Sequence, residues 1–124
     1  MKKFFKTKLI HKDKRGDFKN IINDNFANLS IIFSKEGTIR SNHYHIKDSH
    51  CIYVISGKMD YYYKKLNKNS KIFKKTLVEG DIVYTPSLEI HATVFTEDTR
   101  IIVASKNPRS KKFYEKDTKP YILV

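Results

Sequence analysis

Four of the five histidines in the sequence are spaced so that they could bind one metal ion. His43 and His45 are two positions apart, and side chains at that spacing on a β-strand point to the same face of the sheet. His50 follows after a segment long enough to turn the chain, and His91 would come from a distant strand that lies adjacent in space. Neutral imidazoles bind Zn, Cu, Fe, Ni or Mn. The spacing therefore predicts His43, His45, His50 and His91 as metal ligands, whereas His11 is expected to be solvated.

Glycine and proline mark the ends of both histidine segments. The first segment runs from Gly37 to Gly57 with the spacing G-x5-H-x-H-x4-H-x6-G, and the second runs from Gly80 through Pro86 to His91 with the spacing G-x5-P-x4-H. The alternative is that these are ordinary polar strand histidines. An inward-facing H-x-H pair, however, would bury two imidazoles that need polar partners. Metal binding is therefore favoured.

Short β-type runs make up most of the chain. Ile, Val, Tyr, Phe and Thr dominate the apolar runs, and these residues fit a pleated sheet. Runs of this kind between turn residues are typical of a sandwich or barrel. We predict strands at residues 5–10, 18–22, 29–33, 39–45, 51–56, 58–63, 72–78, 81–85, 91–95 and 101–105. Residues 107–119 are expected to form a surface loop or short helix, and residues 121–124 an edge strand or part of a dimer interface.

The length and strand spacing predict a single all-β domain over residues 1–124. A jelly-roll barrel suits ten short strands better than an open sheet does, because closure removes exposed edges. Cys51 is the one cysteine, so no intramolecular disulfide can form, which suits a reducing compartment. No apolar run approaches the roughly 20 residues of a membrane helix, and lysines interrupt the N-terminal apolar residues. We therefore expect a cytoplasmic protein that does not bind membranes.

The formal net charge of +12 has two interpretations. One is a partner that carries phosphates, either a nucleic acid or a phosphorylated small molecule. The other is compositional, since only four of the 25 basic residues are arginine and lysines occur in every segment. No nucleic-acid-binding motif accompanies the charge, so nucleic acid is not the expected partner.

The first histidine segment resembles the first signature motif of the cupin superfamily. That motif contains a glycine, an H-x-H pair, a glutamate and a second glycine. His43, His45 and Gly57 match it, whereas His50 stands where the glutamate is usual. The second segment resembles the second cupin motif through Gly80 and the residues that follow it.

In the second motif Pro86 and His91 match, while Leu88 replaces a glycine and Phe95 an asparagine. The resemblance implies the cupin double-stranded β-helix, a jelly-roll barrel, with a divalent metal ion (Zn, Mn, Fe or Ni) at the histidines. It also implies a homodimer, to which the apolar residues Phe4 and Phe5 and residues 121–124 could contribute.

The replacement of the usual glutamate by His50 bears on the expected reaction. Four neutral ligands leave the ion its full positive charge, which favours polarising a carbonyl or an enediolate over oxygen chemistry. The leading hypothesis is therefore a metal-dependent isomerase, epimerase or lyase acting on a carbohydrate-type substrate. The alternatives are an Fe-dependent dioxygenase and a non-catalytic cupin that binds a metal or small molecule.

A second resemblance concerns the substrate. The run from Asp13 through Arg15 and Gly16 to Phe18, and the run R-S-N-H-Y-H that begins at Arg40, are similar to cupins of nucleotide-sugar metabolism. Those proteins are ketoisomerases and epimerases of nucleotide-linked keto-sugars and the cupin domain of capsular-polysaccharide enzymes. The metal-free epimerases among them use a His–Asp dyad, and no spacing in this sequence identifies one.

Three further residues are candidates for the site. Tyr84 and Glu89 are predicted to transfer protons beside His91, although either could be solvated. Arg40 could anchor a phosphate or carboxylate. Strand alternation, however, places Arg40 on the face opposite His43, so a surface role is at least as well supported.

Overall fold

The computed structural model describes residues 2–124, which form twelve β-strands and one short α-helix. The elements are β1 (Phe4–Lys6), β2 (Lys8–Asp13), β3 (Gly16–Asn20), β4 (Asn28–Ser34), β5 (Ile39–His45), β6 (His50–Ser56), β7 (Lys58–Lys65), β8 (Phe73–Val78), β9 (Asp81–Thr85), β10 (Glu89–Phe95), β11 (Thr99–Ser105), α1 (Lys111–Asp117) and β12 (Thr118–Pro120).

The strands form two five-stranded sheets and a separate two-stranded hairpin. The sheet orders are β1-β9-β6-β11-β4 and β12-β5-β10-β7-β8, and every pairing is antiparallel. Alternate residues of both sheets point inward and form the core, which includes Val54, Met59, Tyr61, Leu77 and Phe95. This arrangement confirms the predicted all-β jelly roll, with the strands that carry the histidines brought together from distant parts of the sequence.

The observed elements differ from the predicted ones near the two ends of the chain. The strand predicted at residues 5–10 is two strands, β1 and β2, which belong to different sheets. Residues 107–119 contain α1, whose first turn is capped by the Ser110 side chain accepting the Phe113 N–H at 3.2 Å. The C-terminal edge strand is β12, so the prediction of a strand at residues 121–124 is wrong. No helix in the described part of the chain has the length and apolar character that a membrane crossing requires.

A bulge in β5 changes which side chains face the interior. Ser41 and Asn42 both have a positive φ, at 73° and 56°, and the pairing of β5 with β10 shifts by one residue there. The extra residue breaks the simple alternation of the strand. Arg40 consequently lines the same cavity as His43 and His45. The prediction that Arg40 lies on the opposite face is therefore wrong, because alternation holds only where no residue is inserted.

The Asn42 side chain connects the C-terminal residues to this bulge through hydrogen bonds. Its Oδ1 accepts the N–H groups of Leu123 at 2.8 Å and of Val124 at 3.2 Å, and its Nδ2 donates to the Val124 carbonyl at 3.0 Å. Asparagine also tolerates the left-handed backbone conformation better than most residues do. One side chain therefore stabilises both the bulge and the terminal segment.

Replacing Asn42 with alanine is expected to destabilise the fold by about 1–2 kcal/mol, because the hydrogen bonds are lost and alanine strains the left-handed backbone. Denaturant unfolding followed by circular dichroism measures the change. Asn42→Gly is the matched variant, since it lacks the amide but adopts a positive φ without strain. An unchanged free energy of unfolding in Asn42→Ala would contradict the role of this residue.

Some of the apolar residues expected at a dimer interface pack within the chain instead. Phe4 packs against the core, with its ring edge-on to Tyr61 at a centroid distance of 6.2 Å. The edge strand β4 instead exposes Leu29, Ile31 and Phe33. Homodimerisation stays a prediction, and Phe4 does not contribute a free surface to it.

Candidate functional site

A cavity of about 150 Å³ opens at one end of the jelly roll and contains the histidine cluster. Its walls come from β4, β5, β6, β10 and β11, together with the segment that carries α1. Polar and charged side chains, among them the histidines, Arg109 and Asp117, share the lining with apolar ones such as Ile52, Phe95 and Val103. The cavity therefore combines buried polar groups with apolar ones, as small-molecule sites commonly do.

All four predicted histidines line this cavity, and three of them are grouped closely. The ligand nitrogens of His43, His45 and His91 all lie within 4.8 Å of one another. His43 is central, with ring-centroid distances of 4.7 Å to His45 and 4.8 Å to His91. His50 lies beside this group, at centroid distances of 5.3 Å from His45 and 5.6 Å from His91. The structure thus brings the sequence-predicted ligands together, with His50 outside the tightest group.

Hydrogen bonds from the surrounding protein orient two of these rings. His91 Nδ1 lies 3.0 Å from the Glu89 carbonyl oxygen, and His45 Nδ1 lies 3.2 Å from Thr118 Oγ1. A carbonyl only accepts, so His91 Nδ1 carries the proton and donates it. The other nitrogen, Nε2, is then a lone-pair donor. Contacts of this kind set the tautomer and orientation of a metal-binding histidine.

Burial keeps the four rings neutral at neutral pH. Loss of hydration, together with the neighbouring histidines and the Arg109 charge, lowers the pKa of His43 to about 4 and that of His50 to about 3. The same desolvation lowers the pKa of His45 and, more strongly, that of His91. Neutral imidazole is the form that binds metal ions. A set of three or four neutral, converging nitrogens therefore fits a divalent transition-metal ion.

An aspartate that the sequence analysis did not single out lies next to His45. Asp117, the last residue of α1, is buried, and its Oδ2 is 3.7 Å from His45 Nδ1. Its carboxylate also accepts the backbone N–H groups of Lys47 at 2.8 Å and Asp48 at 3.1 Å. The segment around it reads as a charged surface loop, and only the packing of α1 against the barrel brings Asp117 inside. The structure thus provides a His–Asp pair that no sequence spacing indicates.

Two of the chain's four arginines line the cavity. Arg40 is held by hydrogen bonds from its Nε to Ser34 Oγ at 2.7 Å and from its Nη2 to the Phe33 carbonyl at 3.2 Å. The Arg109 guanidinium lies over the Tyr114 ring, 4.4 Å from its centroid. Asp48 and Asp117 also line the cavity, so two negative groups accompany the two positive ones. Both carboxylates accept backbone N–H groups, whereas arginine pairs well with carboxylate and phosphate oxygens of a ligand. The two arginines therefore give the cavity groups that suit an anionic ligand.

The two predicted proton-transfer residues do not line the cavity. Tyr84 is opposite Cys51 in the pairing of β9 with β6, and the adjacent Thr85 is the residue that points into the interior. Glu89 forms an ion pair with Lys3 and accepts a hydrogen bond from the Tyr61 hydroxyl at 2.9 Å. Burial raises the pKa of Glu89, although the Lys3 ammonium opposes that shift.

This polar group lies behind His91. The Tyr61 ring stacks on His91 at a centroid distance of 6.1 Å and an interplanar angle of 11°. The Tyr61 hydroxyl also lies 2.6 Å from Thr85 Oγ1. Glu89 therefore supports the wall of the site through its backbone and through Tyr61. The run containing Asp13 and Arg15 also lies elsewhere, at the exposed turn of the β2–β3 hairpin, where Arg15 Nη2 donates to Asp13 Oδ2 at 2.6 Å.

Comparison with known proteins identifies a family that matches the sequence. The profile of the polysaccharide biosynthesis C-terminal domain family matches residues 11–118, which is most of the chain. Among curated proteins, none matches this sequence.

Solved structures with the same architecture share about a fifth of their residues with this chain. A dTDP-4-dehydrorhamnose 3,5-epimerase from Sulfolobus tokodaii is 20% identical with a TM-score of 0.77, over 94% of this chain and 74% of that one. The 3,4-ketoisomerase QdtA from Thermoanaerobacterium thermosaccharolyticum, in a double mutant complexed with TDP, is 22% identical with a TM-score of 0.71, over 94% and 84%. The capsular polysaccharide assembling protein CapF from Staphylococcus aureus is 20% identical with a TM-score of 0.70, over 94% of this chain but only 34% of CapF. These similarities confirm the predicted cupin fold.

Proposed function

Because the chain belongs to the polysaccharide biosynthesis C-terminal domain family, we propose that it is an epimerase or isomerase of a nucleotide-linked keto-sugar. The observation that carries this proposal is a cavity in which neutral histidines converge and which two arginines also line. The similar structures include a dTDP-4-dehydrorhamnose 3,5-epimerase and a 3,4-ketoisomerase, whose reactions move a proton at a carbon beside a carbonyl. The two arginine side chains suit the diphosphate of such a substrate.

In the leading form of this proposal, His43, His45 and His91 hold a divalent metal ion, with His50 as a fourth ligand. When bound, the ion would supply Lewis-acid polarisation of the substrate carbonyl. The neutral imidazoles and the hydrogen bond from His91 to the Glu89 carbonyl support this role. Arg40 and Arg109 then bind the anionic part of the substrate.

A second candidate is the same class of reaction without a metal, and the contact between Asp117 and His45 favours it. A buried carboxylate 3.7 Å from Nδ1 stabilises a proton on that nitrogen, so that Nε2 can act as a general base. In this form His45 removes the proton beside the carbonyl, and Asp117 stabilises the imidazolium that results. The two candidates act on the same substrate. In the first a metal ion would activate it, and in the second His45 removes its proton.

Incubation of the protein with TDP-4-keto-6-deoxyglucose in deuterium oxide is expected to introduce deuterium at the carbon beside the carbonyl, detected by mass spectrometry and NMR. Tyr84→Phe is the control, and we expect its exchange rate to stay within about twofold of wild type, since Tyr84 lies outside the cavity. Chelation that stops exchange supports the metal-dependent form, whereas exchange that survives chelation and is lost in Asp117→Asn supports the dyad. Absence of exchange on a panel of nucleotide-linked keto-sugars, with and without added metal, would contradict the proposal.

A further inference from the structure

The β7–β8 hairpin carries an unusual share of the protein's charge. Residues 61–78, here called the lysine-rich hairpin, contain six lysines and no acidic residue, so this one segment accounts for +6 of the formal net charge of +12. The hairpin includes β8, an edge strand of its sheet, and the connection between Lys65 and Phe73. Residues 2–20 also carry a formal charge of +6, but there two aspartates lie among eight basic residues. The lysine-rich hairpin differs in having six lysines with no acidic residue among them.

Large apolar side chains are exposed at the tip of the same hairpin. Leu66, Ile72 and Phe73 are 45%, 54% and 53% exposed, and they alternate in the sequence with exposed lysines. Lys65, Lys68 and Lys71 are the exposed lysines of the tip. Clusters of exposed apolar side chains commonly mark an interaction surface. Here the apolar groups and the positive charges occupy the same short stretch of chain.

This combination matches the chemistry of an anionic lipid surface. Lysines near such a surface are attracted by its negative potential, while apolar side chains insert at the boundary of headgroups and acyl chains. A nucleic-acid surface would account for the lysines but leave Leu66 and Ile72 without a role, and the hairpin contains no arginine for base or phosphate recognition. None of residues 61–78 lines the cavity, so contact at the tip would not occupy the candidate site.

We propose that the tip of the lysine-rich hairpin docks the protein on an anionic membrane surface. The sequence leaves open whether the positive charge is functional or compositional, and it predicts no membrane partner. The proposal follows from the exposed lysines of the tip, which lie among exposed apolar side chains, whereas the ion pair of Lys74 with Asp60 lies outside the tip. It holds whether or not the cavity acts on a nucleotide-linked sugar, because it rests on a different surface.

Co-sedimentation with vesicles tests the proposal. We expect binding to vesicles of phosphatidylcholine mixed with phosphatidylglycerol and not to vesicles of phosphatidylcholine alone. Binding should weaken strongly between about 0.1 M and about 1 M salt, over which the Debye length falls from about 10 Å to about 3 Å. The triple variant Lys65→Gln, Lys68→Gln, Lys71→Gln should lose at least about tenfold in partitioning, since each lysine near the surface contributes about fivefold.

Two further variants make the test specific. Lys111→Gln, Lys112→Gln, Lys116→Gln removes the same charge from exposed lysines of α1, where no large apolar side chain is exposed, and should bind nearly as wild type. Leu66→Ser with Ile72→Ser keeps all lysines and should still lose partitioning. No binding to phosphatidylglycerol vesicles, or equal losses in the two triple variants, would overturn the proposal. So would tighter binding to duplex DNA that is unaffected by Leu66→Ser and Ile72→Ser, because that result assigns the surface to nucleic acid.

Discussion

Replacing His43 with alanine is expected to lower the affinity for a divalent metal ion by at least about a hundredfold, the loss that even an outer-shell change can cause. His43 is the central ring of the cluster, with centroids at 4.7 Å and 4.8 Å from its two neighbours, so its removal leaves His45 and His91 without the nitrogen between them. Exchange of the substrate proton should fall by about a thousandfold or more if the ion polarises the carbonyl. His43 is only partly buried, and the fold should tolerate the change.

Metal content after purification without chelator and calorimetric titration with Zn and Mn measure the first effect. His11→Ala is the matched control, because His11 is exposed on β2 and outside the cavity. Circular dichroism checks that His43→Ala remains folded. A wild-type protein that binds none of the candidate ions, and whose exchange activity is unchanged by His43→Ala, would refute both the metal site and the place of His43 in it.

The sequence contains the information for this cluster because local rules determine it. The same-face spacing of His43 and His45 depends only on strand geometry, and that part of β5 is regular. Gly57, which ends the first histidine segment, also follows a local rule. At Gly57 the φ of +98° and the position of the Asp98 carbonyl, 2.3 Å from where a Cβ would lie, leave room for no side chain. Features set by one strand or one turn could therefore be predicted.

Features set by tertiary packing could not be predicted in this way. The orientation of Arg40 depends on an inserted residue in β5. A serine or an asparagine in a strand sequence does not by itself indicate such an insertion. Asp117 reaches His45 only because α1 packs over the cavity. Tyr84 and Glu89 are close to His91 in sequence, but strand direction and an ion pair of Glu89 with Lys3 place them outside the cavity. Spacing along the chain therefore predicts which histidines share one face of a strand. It does not predict which side chains from other elements contact them.

The two arginines of the cavity lead to the second prediction with a large effect. Arg40 lies on β5, Arg109 lies in the connection before α1, and both line the site, so the two can bind one anionic group. A hydrogen bond to a charged group contributes about 1.5–3 kcal/mol, which corresponds to roughly ten- to a hundredfold in affinity. Arg40→Met combined with Arg109→Met is therefore expected to lower kcat/KM for the nucleotide-linked sugar by about a thousandfold, mainly through KM.

Binding of TDP alone, measured by calorimetry, separates recognition of the anion from the chemical step. The double variant should lose TDP affinity but keep its bound metal, the reverse of the pattern expected for His43→Ala. Arg15→Met with Arg100→Met removes the other two arginines, both exposed and outside the cavity, and is the matched control for net charge. Arg40→Lys should recover part of the affinity, since it restores the charge without the planar guanidinium. Equal TDP binding by the double variant and wild type would show that the arginines do not recognise the substrate.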